Sequence, residues 1–188
     1  MSEAPTEHFE HAEHAEHAAE SGSPFLAIVA ITIALLAVLA AFVGSLETIE
    51  TAATIDAKND AVLYQNEATD TWNFFQAKSI KKNMYDIAAA AAGPATADNF
   101  KQQAKRNGDD QKALNDQGKA LEAKRDAKLE ESERHEHRHA TLTISVTLLH
   151  ISIAIATIAI IRRGARWPWY AALVLGAVGM LGTAFAYL

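Results

Sequence analysis

The sequence predicts an all-α membrane protein: three transmembrane helices, with a long extramembrane antiparallel helical hairpin between spans one and two. Three observations predict it. Apolar residues are gathered into three long runs, although the mean hydropathy of the chain is near zero. Charged residues concentrate between the first two runs, from Glu47 to His139, in a region made largely of helix formers. One strong turn signal, Gly93-Pro94, interrupts that region near its middle.

The first apolar run, Pro24 to Leu46, offers roughly 22 uncharged residues. At about 1.5 Å per residue that is enough to cross a hydrocarbon core of roughly 30 Å. Ser23 as N-cap and Pro24 at the first helical position make a good helix start. The acidic tail before it has no positive charge and no small-x-small cleavage site follows, so the run reads as a retained span rather than a signal peptide. The second run, Ala140 to Ile161, alternates at Ile151, Ile153 and Ile155 as a strand would, but a lone strand in lipid leaves its backbone unpaired. The third run, Trp167 to Leu188, has Trp167, Trp169 and Tyr170 at one end and Tyr187 at the other, matching interfacial aromatic belts, with Pro168 at the helix start. Only an Arg-rich turn, 162–166, separates runs two and three, so they form a tight antiparallel pair. Small residues mark packing faces: Ala30, Ala34, Ala37, Ala41 and Ser45 in span one, and Ala172/Gly176, Gly179/Thr183 and Gly182/Ala186 in span three. They serve contacts either within one subunit or between subunits.

Residues 47–139 form the hairpin, with its turn near 91–96 and Thr96 or Asp98 as the new N-cap. Each arm is about 44 residues, roughly 65 Å of helix. The first arm carries most of the apolar side chains; the second has Phe100, Leu114, Leu121 and Leu129, of which Leu114 and Leu121 fit a heptad. Asn107-Gly108 predicts a kink with a restart at Asp109. So thin an apolar seam implies help from neighbours in an oligomer, or from a partner.

The net charge of −6 is modest and the hairpin mixes both signs, which argues against a nucleic-acid partner. The chain has no cysteine, which excludes disulfides, thiolate chemistry and cysteine-based zinc sites. Positive charges near the hairpin roots (Lys58, Lys124, Arg125, Lys128, Arg134, Arg138) outnumber Arg162, Arg163 and Arg166 of the short turn. The tally favours a cytoplasmic hairpin and an outside N-terminal tail, 1–23.

Four features could carry function. In the tail, His8, His11, His14 and His17 each follow a Glu at steps of three, which spreads them around half a helix and pairs each later His with a Glu four residues earlier. That is a solvated helix or a weak site for zinc or another divalent metal. His135 and His139 are four apart and share a helix face, a metal-capable pair that can equally meet lipid headgroups. His150 lies inside span two, an intramembrane polar residue that could serve transport or simply bond to Thr143 or Thr147. The stretch holding Trp72, Phe75, Gln76, Lys78 and Ser79 is either a packing seam or a partner-docking face. No nucleophile–base pair, phosphate loop or carboxylate dyad is visible, so the reading assigns no catalytic residue and no cofactor-binding residue.

The box W-x-x-[FY]-Q-A-K-S-I-K, matched by Trp72 to Lys81, resembles one in a family of uncharacterised bacterial membrane proteins described as a domain of unknown function. The resemblance runs nearly end to end: the His/Glu-rich tail, the first span, the charged hairpin, the His/Arg cluster and two closing spans around an Arg-rich turn. It implies a bacterial inner-membrane protein and brings no activity. The function expected is a non-enzymatic integral membrane scaffold or accessory subunit acting through helix–helix association. It would lie in the lipid bilayer as a homo-oligomer or as part of a larger membrane complex. Rival expectations are a metal- or pH-responsive protein using the His clusters and a small transporter or channel subunit using His150.

Overall fold

A computed structural model describes residues 23–162 and 165–188. The four tail histidines, His8, His11, His14 and His17, lie outside the described residues. The chain is all-α: α1 is Pro24–Ala91, α2 is Pro94–Ile161 and α3 is Trp167–Phe185, with no strand among the described residues. All three helices contain a stretch long and apolar enough to cross a membrane. α1 and α2 pack as an antiparallel hairpin.

The turn is tighter than the sequence suggests. α2 starts at Pro94 rather than at Thr96 or Asp98, because a proline at the first helical position sacrifices no needed N–H. The Gly93 carbonyl accepts the backbone N–H groups of both Thr96 and Ala97 at 3.1 Å, which anchors the new helix. The expected interruption at Asn107-Gly108 does not occur. α2 is continuous there, and the buried Asn107 amide donates to the Gln103 carbonyl at 2.8 Å, satisfying the polar group locally.

The chain divides into two compact units. The first contains the described residues up to Ala53 together with Arg134–Leu188, which brings all three helices together. On α1 the core positions are Val29, Ile33, Leu36, Ala40 and Val43, at alternating steps of four and three. They meet Leu142, Leu149, Ile153 and Ala156 of α2. α3 joins through the small face anticipated for it: Ala172, Gly176, Gly179 and Thr183 are buried within the subunit. A side chain at Gly179 would place its Cβ 3.0 Å from the Ser145 carbonyl, which as backbone cannot swing aside. Ser152 Oγ donates to the Ala172 carbonyl at 2.6 Å, a second tie between α2 and α3. The small stripe expected on α1 behaves differently: Ala30 is buried, but Ala34, Ala41 and Ser45 face outward.

The second unit is Thr54–Glu133. Its seam is built from small side chains. The buried apolar residues are Ala57, Ala61 and Ala68 on α1 with Ala104 and Leu121 on α2. Gly118 makes room for the Trp72 ring, since a Cβ there would lie 2.9 Å from it. Burying a methyl group contributes on the order of 0.8 kcal/mol, against roughly 1.5–3 kcal/mol for a whole Leu, Ile or Phe side chain, so this seam holds by close approach more than by apolar area. Polar links set its register. Asp60 pairs with Lys128 at 3.3 Å and Lys78 with Asp110 at 2.7 Å. Hydrogen bonds to Glu131 and then to Asp60 raise the Lys128 pKa above the ordinary lysine value. A raised lysine pKa stabilises the fold at every pH below the ordinary value and loses that contribution as pH climbs through the folded one, so this bridge is intact at neutrality.

Gly179→Val should lower stability by about 1–3 kcal/mol, read as a lower thermal midpoint by circular dichroism in detergent. Gly93→Ala, where nothing lies within 4 Å of the added Cβ, should leave the midpoint unchanged to within about 0.5 kcal/mol.

Candidate functional site

The densest polar cluster of the first unit forms where the hairpin arms leave the apolar runs. Glu50 of α1 is its centre. An antiparallel pair in which residue 60 meets 128 and residue 78 meets 110 puts position 50 against the His/Arg run of α2. The Glu50 side chain is only 6 % exposed. A carboxylate so far from water needs partners, because an uncompensated buried charge is costly. It has them. His135 Nδ1–H donates to Glu50 Oε2 at 2.5 Å, the Arg138 guanidinium lies 4.0 Å from Oε1, and the Tyr187 hydroxyl also hydrogen-bonds to Glu50. Arg138 in turn sits over the Tyr187 ring at 5.3 Å, a cation–π contact that ties the residues following α3 to α2.

One turn along the seam lies a second set. The Thr51 hydroxyl donates its single proton to the Glu47 carbonyl at 2.9 Å. Its 3.1 Å contact with His139 Nδ1 therefore has the imidazole N–H as donor. The same Nδ1 lies 3.8 Å from Glu47 Oε1, and Thr143 donates its hydroxyl to that oxygen. Beside the Glu50 set is a groove of about 280 Å³ lined by Arg134, His137, Arg138, Thr141 and residues 185–188.

This arrangement divides the two histidines expected to act as a pair. His135 is committed to Glu50 and His139 to Thr51 and Glu47, each by Nδ1. Among the described residues no group of three or more His, Cys, Asp or Glu is placed to hold a metal ion. Chemically the cluster is a set of hydrogen bonds gathered around one buried carboxylate, Glu50, with half-buried and exposed partners at the root of the hairpin. Glu47, Glu50 and Tyr187 were not singled out as its members from sequence. The signal was there: counting outward from Pro94 in both directions sets Glu50 opposite Arg138.

The aromatic box lies in the second unit. Trp72 Nε1–H donates to Glu122 Oε1 at 2.9 Å, and the indole meets Phe75 edge-on at 5.5 Å between ring centres. Phe75 lines an open groove of about 730 Å³ with Lys82, Lys105 and Lys112 of the hairpin. Lys78 is bound to Asp110 and Ser79 is half-buried, while Gln76 is exposed. Trp72, Phe75 and Lys78 thus serve the hairpin's own seam. His150 stands on the outward side of α2 in the first unit.

Residues 25–188 match the family described as a domain of unknown function, DUF4337, and the chain belongs to that family. No curated protein and no solved structure matches it.

His135→Ala should destabilise the fold by about 1–3 kcal/mol, because it strips a partner from a buried carboxylate. Combining it with Glu50→Gln should cost less than the sum of the two single changes. The coupling energy of that cycle, measured by chemical unfolding in detergent at neutral pH, should fall in the range of about 0.5–3 kcal/mol.

Proposed function

We propose that this protein is a non-enzymatic integral membrane scaffold or accessory subunit that works by helix–helix association. In this reading all three apolar helices cross the bacterial inner membrane and the hairpin stands on the cytoplasmic side. The length and composition of the three helices support the first part, and the positive charges at the hairpin roots support the second.

The observation that carries the association is the outer surface of the hairpin unit. Seven large apolar side chains between Ile55 and Ile87 of α1 are exposed, including Phe74, Ile80 and Met84. On the facing arm, Pro94 to Glu133, Leu129 alone is. Exposed apolar residues in the membrane-crossing stretches have lipid to meet, but residues 54–91 lie beyond the apolar run and do not. A one-sided apolar surface of this size on a water-exposed element marks an interaction face.

Purification of the full-length protein in mild detergent, with mass determined by light scattering corrected for detergent, tests the reading. The expected result is a particle holding either several copies or a stoichiometric second protein. A lone monomer with no stoichiometric companion contradicts it.

A further inference from the structure

We propose that the outer face of α1 in the hairpin unit is a parallel, in-register coiled-coil interface with a second copy of this chain, specified by Asn59, Asn66 and Asn73. The proposal deepens the reading above and rests on it, because the membrane sets the direction of the two copies.

The starting point is a second heptad on α1. The inner seam of the hairpin follows seven-residue spacing: Ala57, Tyr64 and Thr71 on one row, Ala61, Ala68 and Phe75 on the other, all buried or half-buried. These are the f and c positions of a heptad in which Asn59 is a. The a and d positions fall on the opposite side of the helix. They read Asn59, Asn66, Asn73, Ile80 and Ile87 at a, and Ile55, Val62, Thr69, Gln76 and Asn83 at d, and each of these is exposed. A straight helix would let such a row drift by about 20° per heptad. Here the inner seam already has the seven-residue repeat, so an outer row of the same period keeps a constant face. Outward positions of α1 in the first unit hold the same phase: Ile31, Val38 and Ser45, with Ala34 and Ala41.

Three features select a second copy as the occupant. The first is self-complementarity. In a parallel dimer each a position meets itself across the two-fold axis, and an asparagine amide both donates and accepts, so asparagine at a pairs with asparagine at a and sets register. Three successive a positions carry it. The second is direction. Chains inserted in one orientation can be related only by an axis normal to the membrane, which makes their α1 segments parallel. The third is the absence of charge repulsion. The pairs that flank a parallel seam, g of one copy to the following e of the other, are Lys58 to the partner's Leu63, Gln65 to the partner's Asp70, Trp72 to the partner's Ala77 and Ser79 to the partner's Met84, and none sets like charges together. The polar a positions and the polar d positions Thr69, Gln76 and Asn83 weaken the coiled coil, and confinement of both copies to one membrane offsets this by raising their effective concentration.

The cysteine-free chain permits a direct test. Asn59→Cys, Asn73→Cys and Ile80→Cys report three a positions, and Glu67→Cys and Lys81→Cys report b positions on the flank. Each full-length variant is oxidised in native membranes with copper phenanthroline and scored on non-reducing gels, alongside the mass of the unmodified protein in lipid nanodiscs. The expected result is disulfide dimer at all three a positions, at least ten-fold above the b positions. Equal cross-linking at a and b overturns the interface. Cross-linking at Asn73→Cys alone overturns the parallel register, because an antiparallel pair brings identical residues together only near the middle of the row. Adducts to a different protein overturn the second copy as occupant. In these cases an assembly of several chains in nanodiscs leaves the association reading standing, whereas a lone monomer with no companion ends both.

Discussion

Everything in this fold depends on how closely α1 and α2 approach. Two 68-residue helices stay in register only if inward positions recur every three and four residues, and in the hairpin unit this chain fills those positions largely with small side chains. In the hairpin unit the seam is Ala57, Ala61 and Ala68 against Ala104, with Trp72 resting on Gly118. In the first unit Ala40 and Ala156 share the core with larger residues, and the glycines of α3 admit a third helix. Small residues let backbones come together but hide little apolar surface. Specificity therefore falls to polar links whose geometry tolerates only one register: Trp72 to Glu122, Lys78 to Asp110, Glu50 to His135.

The same constraint explains the distribution of larger apolar side chains. A seam of alanines has no room for Ile55, Val62, Ile80 or Ile87, and they lie on the outer face of α1. The facing arm is strongly charged and turns almost no large apolar group outward. The hairpin is thus two-sided on one arm and one-sided on the other. That asymmetry, rather than any pocket or ligand set, is the property a membrane-anchored assembly subunit would use. Membership of DUF4337 places the chain in a family without bringing a reaction.

The all-helical class, the number of helices and the hairpin were legible because hydrophobic segregation and Gly93-Pro94 are strong local signals. The small face of α3 was legible too, although sequence could not say whether it closed within the subunit. The unbroken helix at Asn107-Gly108 shows the limit of local rules: a glycine costs a helix about 1 kcal/mol, which tertiary contact and the Asn107 side-chain bond readily offset. For the stripe Ala30 to Ser45 the spacing identified a face but not its direction: the larger Val29, Ile33 and Leu36 took the inside, and Ala34, Ala41 and Ser45 face outward. The Glu50 cluster escaped for another reason. It pairs residues 85 apart in sequence, and only the register of the hairpin brings them together.

The most direct test of the central claim is a cysteine-accessibility scan along α1 from residue 55 to 87. Single cysteines in full-length protein would be timed for reaction with a water-soluble maleimide in native membranes. The account predicts two protected rows per heptad on opposite sides of the helix, one at Ala61, Tyr64 and Ala68 and one at Asn59, Val62 and Asn66, with fast reaction between them at Glu67 and Lys81. A single protected row, on the inner seam alone, would contradict it and leave the hairpin a free-standing element.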